Sequence, residues 1–400
     1  MLTPEELREQ VRAFLAEHDP REMPKQDFLD ARFDAGLAWV HYPEGLGGLA
    51  LSRSLQQIVD AEFAAANSPG NDAERNAIGL GMAAPTILAY GTDEQRKRWL
   101  RELWTGREIW CQLFSEPGAG SDLASLATRA VPEDGTGGVG GNWVASGQKV
   151  WTSLAHESRR GLLLTRTDPD VPKHAGLTYF AVDMTAPGVD VRPLRQITGE
   201  AEFNEVFLTD VRIPDADRIG PVGEGWKVAT ATLMNERVSI GASRATPRDA
   251  GMIGPAAALW RSRPELRTPG LHDRLLRLWT DAEVARLAGE RLRQQLAAGR
   301  PGPEGSAAKL VLATLNQEIS AFEVELAGSD GLRYDDWSMR RPEHSVFYGR
   351  GPGYRYLRAR ANSIEGGTSE ILRNIIAERV LGLPPQPRVD KDVPWKDLPR

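Results

Sequence analysis

The apolar period changes twice along these 400 residues, and that double change restricts the chain to a helix–sheet–helix succession. In residues 1–108, Leu7, Val11, Phe14 and Leu15 recur at helical spacing. They follow Thr3-Pro4-Glu5-Glu6, which supplies an N-cap, a Pro at the first helical position and acids in the first turn. Asp93 to Trp104 repeats the pattern with Asp93 or Thr92 as its cap and Gly106 as its stop. In 109–215 the runs shorten. Leu162–Thr165, Leu177–Val182 and Glu205–Leu208 stand between Gly, Pro and Asp clusters, which predicts an antiparallel sheet or barrel. Helical spacing returns in 216–382, at 226–243, 273–296, 306–326 and 363–381. The Pro-rich, charged stretch 383–400 reads as an extended arm or a mobile tail. Within it, Trp395 is a candidate anchor on a neighbouring subunit or plain surface decoration. The expected fold class is α+β: an N-terminal helical domain, a central antiparallel β-barrel-like domain, a C-terminal helical bundle and a tail.

Charge and cysteine usage remove several function classes. Lys plus Arg number 49 against 55 for Asp plus Glu, a formal charge of −6. A nucleic-acid footprint needs a clustered basic excess instead. The one cysteine, Cys111, can form no intrachain disulfide, and six scattered histidines show no ligand spacing, so no metal is expected. The first residues lack the basic and apolar regions of a secretory signal, and no run is apolar enough to span a bilayer. A cytoplasmic location without membrane or nucleic-acid partners is the resulting expectation.

Three motifs match known signatures by letter only. Gly135-x-Gly137-x-x-Gly140 lacks the following helix of a dinucleotide site, because Asn142 to Val150 reads as a strand. Ser306-Ala-Ala-Lys309 stands without the companion motifs of penicillin-binding enzymes, and Ser306 reads as a helix N-cap. Ser115, Asp122 and a distant His lack a nucleophile elbow.

Two segments carry more chemistry. Phe114-Ser-Glu-Pro-Gly-Ala-Gly-Ser-Asp122 is rich in small residues and hydroxyls, so main-chain N–H groups, Ser115 and Ser121 can approach a polar ligand. Gly147-Gln-Lys-Val-Trp-Thr-Ser153 ends a strand with an indole and two hydroxyls. That suits a flat, heteroatom-rich ring, or else a buried structural Trp.

In this order, these segments resemble the acyl-CoA dehydrogenase family. The resemblance extends over nearly the whole chain. It takes in Tyr42-Pro-Glu-Gly-Leu-Gly-Gly-Leu49, Tyr90 to Lys97, Asn204 to Pro214, Gly223-Glu-Gly-Trp226 and Ile364 to Asn374. It implies a C-terminal four-helix bundle, and FAD with its ring between the β-domain and that bundle. By position, Phe114 and Ser115 touch the flavin, Trp151 packs at its ring and Ser153 bonds its N5 edge. Gly120, Thr152 and Thr368 join the cofactor set, and Ser121 serves both flavin and the pantetheine of an acyl-CoA. The implied reaction is α,β-dehydrogenation of the thioester, in which a desolvated carboxylate takes the α-proton and hydride leaves for flavin N5.

The resemblance offers two places for that carboxylate. The one before Gly367-Thr368-Ser369 is here Gly366, with Glu365 one residue early. The other, a Glu-Arg pair on the first bundle helix, is matched by Glu236-Arg237. Glu236 is the expected base, and Arg237 is read as orienting the base or meeting the ligand. The match departs from the family at 259–270, where an Arg-x-x-Phe-Gly motif is missing. It departs again at Glu325-Leu-Ala-Gly-Ser-Asp-Gly331, where Glu325 and Ser329 replace an amide and a glycine of the diphosphate cradle. The expected assembly is a homotetramer, or an α2β2 heterotetramer with a related chain of the kind that handles bulky thioesters such as steroid side chains. Electron-transfer flavoprotein is the expected acceptor. A silent or half-site subunit, and a same-fold flavin oxidase or monooxygenase, are the competing readings.

Overall fold

The computed structural model describes residues 2–135, 140–241, 251–297, 304–334, 336–343, 350–388 and 390–399; the side chains of 236–241, 296, 297 and 304 lie outside the described set. Two compact units emerge. One comprises residues 1–192, 204–233 and 390–400, the other 193–203 and 234–389.

The first unit opens with helices α1 (Pro4–Glu17), α2 (Lys25–Asp34), α3 (Gln56–Ala65), α4 (Ala84–Tyr90) and α5 (Asp93–Trp104). The expected caps form. Thr3 and Glu6 make a reciprocal capping box at α1, and Thr92 with Gln95 makes a second at α5. Leu7, Val11 and Phe14 bury one face of α1 against Phe28, Leu37 and Phe63.

Seven strands follow: β1 (Trp110–Leu113), β2 (Arg129–Pro132), β3 (Asn142–Ser153), β4 (Arg160–Arg166), β5 (Leu177–Asp183), β6 (Val189–Pro193) and β7 (Phe203–Pro214). They form one sheet in the order β1-β4-β2-β3-β7-β6, with β5 on β4. The sheet is mixed, which corrects the antiparallel expectation. β1 runs parallel to β4, pairing Trp110 with Arg160 and Leu113 with Leu163, while β4–β5 and β2–β3 are antiparallel. The long connection 114–159 supplies the crossover that a parallel pair needs. All seven residues of β4 are buried, as befits a central strand.

Helix α6 (Gly225–Gly241) begins against β5. A Cβ on Gly225 would lie 2.7 Å from the Leu177 carbonyl oxygen, so only glycine permits this approach. Thr232 fixes the helix further, within hydrogen-bond distance of Thr86 (2.9 Å) and Tyr179 (3.1 Å) in the core. In the tail, Trp395 donates its main-chain N–H to Val171 and lies over Arg166 of its own unit.

The second unit carries α7 (Ile253–Ser262), α8 (Pro269–Ala297), α9 (Glu304–Ala327), α10 (Pro352–Ala359) and α11 (Ser369–Ile375). Ile253, Leu275, Leu278, Leu315, Ile319 and Phe322 form its core. Ser306 lies inside the first turn of α9 rather than at its cap.

Candidate functional site

Over its first half β3 alternates as a half-buried strand should. Trp143, Ala145 and Lys149 all point inward, and Lys149 is fully buried. A buried ammonium needs a partner. Lys149 Nζ lies 2.8 Å from Glu116 Oε1 and donates to the Phe114 carbonyl at 3.0 Å. Glu116 also accepts the main-chain N–H groups of Ala127 at 2.7 Å and Thr128 at 2.9 Å. One carboxylate therefore closes the 116–128 loop and anchors it to the strand. Burial pushes the Glu116 carboxyl up, but the Lys149 ammonium and the N–H donors outweigh it and hold it below the ordinary range. Burial also lowers Lys149, against the pull of Glu116. Val150 N–H donates to the Ser115 carbonyl at 2.9 Å. Gly147 lets the loop lie flat: a Cβ there would stand 2.4 Å from Thr128 Oγ1.

Beyond Lys149 the alternation breaks. Trp151 adopts φ +60° and is 58% exposed, whereas Thr152 is fully buried. One left-handed residue has turned an inward position outward, as a bulge re-aims a side chain. That conformation costs a bulky residue about 1–2 kcal/mol. The strain places a flat indole on the surface of a rigid strand. Ser115 and Ser153 are half-buried, while Gly120 and Ser121 are exposed. A Cβ placed on Gly118 or Gly120 would meet nothing within 4 Å. Phe114 lies in the core, edge-on to Tyr179 at 5.7 Å. Thr152 faces inward, and its carbonyl accepts from Asn204 Nδ2 at 3.0 Å. Its side chain is thereby withdrawn from the Trp151 surface, leaving main chain as its means of touching a ligand.

The second unit holds the C-terminal candidates. Glu365 makes a bidentate pair with Arg358, both contacts at 3.0 Å, and accepts from Asn362 Nδ2 at 2.7 Å. Arg358 also lies 3.5 Å from Glu202, which is buried. Burial pushes Glu202 up to about 7; Arg358 opposes this, and Glu365 and Glu200 add to it. Lys309, from the Ser-x-x-Lys lookalike, donates to the carbonyls of Asn362 (2.8 Å) and Gly367 (2.7 Å), so it fixes the 362–367 loop. Thr368 caps α11 by accepting from Ile371 N–H at 3.2 Å. Glu325 pairs with Arg274, which neutralises its charge. The side chains of Glu236 and Arg237, on α6, lie outside the described residues.

The family models for the N-terminal, middle and C-terminal domains of acyl-CoA dehydrogenase match residues 3–107, 111–211 and 223–381. Acyl-CoA dehydrogenase IpdE1 of Mycobacterium tuberculosis is 38% identical over 358 residues, covering 88% of this chain and 86% of that protein. The chain belongs to the acyl-CoA dehydrogenase family. Acyl-CoA dehydrogenase FadE34 of Mycobacterium tuberculosis is 40% identical over 381 residues, which is 94% of this chain but 49% of that relative. The chain thus spans about half of FadE34. Among solved structures, the Tcur3481-Tcur3483 steroid ACAD is similar with a TM-score of 0.71 at 25% identity, covering 96% of this chain and 98% of the other.

For this family member, the structure gathers Phe114, Ser115, Gly120, Ser121, Trp151, Thr152 and Ser153 into the first unit, and Thr368 and Glu236 into the second. Sequence reasoning missed Glu116 and Lys149. A signal existed, since Lys149 shares the inward parity of Trp143 and Ala145, where a charge needs an acid. It also missed the Arg358–Glu365–Glu202 cluster, for which separation along the chain leaves no local sign. Among the described residues no group of His, Cys, Asp or Glu could hold a metal, and no helix is long and apolar enough to cross a membrane.

Proposed function

We propose that this chain binds FAD and dehydrogenates an acyl-CoA thioester between its α- and β-carbons. The observation that carries the reading is Trp151, an exposed indole on strained backbone beside a turn locked by a buried ion pair. An aromatic platform flanked by the Ser115 and Ser153 hydroxyls fits a flat ring with polar edges. Ser115, Trp151 and Ser153 would hold the flavin, with main chain of Phe114, Gly120 and Thr152 beside it; Thr368 is proposed as a further FAD contact. FAD, when bound, supplies the acceptor for the hydride that leaves the β-carbon. Glu236 takes the α-proton, so the thioester loses one proton and one hydride and becomes the enoyl-CoA. Ser121 meets the pantetheine, and Arg237 orients Glu236. Glu365, committed to Arg358 and Asn362, is poorly placed to act as that base.

The substrate class proposed is a bulky thioester of steroid type, by analogy with the steroid ACAD, with electron-transfer flavoprotein as acceptor. The double designation of that structure, together with Ser329 and the altered 259–270 segment, favours an α2β2 assembly with a related chain over a homotetramer.

The test is anaerobic reduction of the flavin by a panel of acyl-CoA thioesters, with the chain purified alone and co-expressed with related chains. Flavin bleaching by a thioester, lost in Glu236→Gln by about 10²–10⁴-fold, supports the reading. Full activity in Glu236→Gln makes this chain a silent subunit. Rapid reoxidation by air points to an oxidase.

A further inference from the structure

Behind the 121–128 turn lies a second layer of contacts that the proposed reaction does not use. Asp122 accepts from Lys173 Nζ at 3.0 and 2.8 Å, and the same ammonium lies 2.7 Å from Asp390. Arg166 is buried and donates to the carbonyls of Ala124 at 2.5 Å and Lys173 at 2.8 Å. Its guanidinium carbon lies 4.7 Å from the centre of the Trp395 ring. Trp395 Nε1 then donates to the Ser125 carbonyl at 3.2 Å. Main chain seats the segment: Trp395 N–H donates to Val171 at 2.9 Å and Lys396 N–H to Pro169 at 3.1 Å. Lys396 also pairs with Asp170 at 2.6 Å.

We propose that Trp395 is a positioning residue for the 121–128 turn, acting through Arg166 and the Ser125 carbonyl, so that the 390–398 segment sets how well the turn holds the bound thioester. The turn is gripped twice. Glu116, tied to the strand by Lys149, holds its Ala127–Thr128 end, and Lys173, Arg166 and Trp395 hold Asp122, Ala124 and Ser125. Ser121, exposed to solvent, directly precedes the residues held by these grips. Arg166 presents its donors to turn carbonyls and its face to an indole, an arrangement a lysine could not reproduce. Taking the indole away removes both a cation–π contact and a hydrogen bond from the turn. The link to the thioester rests on the reading above, in which Ser121 meets the pantetheine.

The experiment compares wild type, Trp395→Ala and Trp395→Phe as purified full-length protein. Amide hydrogen exchange is measured across 121–128, and kcat and KM with whichever thioester bleaches the wild-type flavin. In Trp395→Ala, exchange at 125–128 should quicken roughly tenfold, and KM should rise by a similar factor with kcat nearly unchanged. Trp395→Phe keeps a ring over Arg166 and should recover most of the difference. Unchanged exchange in Trp395→Ala overturns the proposal outright. Faster exchange with an unchanged KM overturns the link to the ligand. If no thioester bleaches the wild-type flavin, the functional reading and the ligand link fail together, and exchange still decides whether Trp395 positions the turn.

Discussion

Lys149 is wholly enclosed, and its ammonium lies 2.8 Å from the Glu116 carboxylate that closes the 116–128 loop. Two residues thus join a strand and a turn that the sequence keeps apart. Breaking such a pair from one side leaves a buried charge without compensation, at a cost of about 3–5 kcal/mol. Lys149→Met should therefore lower the urea midpoint sharply and reduce the FAD-to-chain ratio of the purified protein. Lys149→Met combined with Glu116→Leu should regain part of the stability but not the FAD, because the loop N–H groups then lose their acceptor. Recovery of both would show that the carboxylate is dispensable to the site.

Trp151 offers a test of strain against function. At φ +60°, glycine is favoured over alanine by about 1 kcal/mol or more. Trp151→Gly should therefore be more stable than Trp151→Ala in chemical denaturation, while both bind FAD more weakly than wild type. If Ala matches Gly, the left-handed conformation is not intrinsic to this position.

Glu202 gives a pH dependence with a definite sign. Its folded pKa, about 7, lies above the ordinary 4.5, so the folded chain holds the proton more tightly than the unfolded one. The stability this contributes is complete below about pH 4.5 and is lost as pH rises through 7. Relative to Glu202→Gln, wild type should lose about 3 kcal/mol between pH 4.5 and 8, on the order of 1.4 kcal/mol per pKa unit. Arg358, Glu365 and Glu200 surround the group in both proteins. Parallel stability–pH curves for wild type and variant would refute the buried-acid account.

Glu365 and Glu236 can be separated by kinetics. Glu365→Gln breaks the bidentate pair with Arg358 and should destabilise the protein while leaving turnover within about tenfold of wild type, well short of the 10²–10⁴-fold loss for a missing base. A larger loss in Glu365→Gln than in Glu236→Gln, measured by single-turnover flavin reduction, would exchange their roles.

The helices were legible because their signals are local. Thr3-Pro4-Glu5-Glu6 and Thr92 to Gln95 each hold a complete cap within four residues; Thr3 caps α1 as expected, and Thr92 rather than Asp93 caps α5. The strands were legible as strands, but their directions were not. That β1 runs parallel to β4 depends on how the 114–159 connection crosses, which no turn motif records. The turn at 114–122 stood out by its glycines and hydroxyls, whereas its supports did not. Arg166, Lys173 and Trp395 look like ordinary surface residues until folding brings them behind Asp122. The residues around Trp151 leave a ring platform and a buried structural Trp both open, and only the fold shows its left-handed backbone and exposed indole.

The pairing of Trp110 with Arg160 has a consequence for assembly in time. Each of helices α1 to α5 can begin to form as soon as it is made, since its main-chain hydrogen bonds span only four residues. β1 cannot find its partner until the whole 114–159 connection and β4 exist, and a high-separation pairing of this kind is slow to nucleate. The expected order is helical turns first, with the 114–128 turn, which depends on this pairing, ordering late. Until that turn orders there is no formed cradle for a cofactor, so FAD should be captured late, by a nearly finished sheet, and should speed refolding little while slowing unfolding markedly.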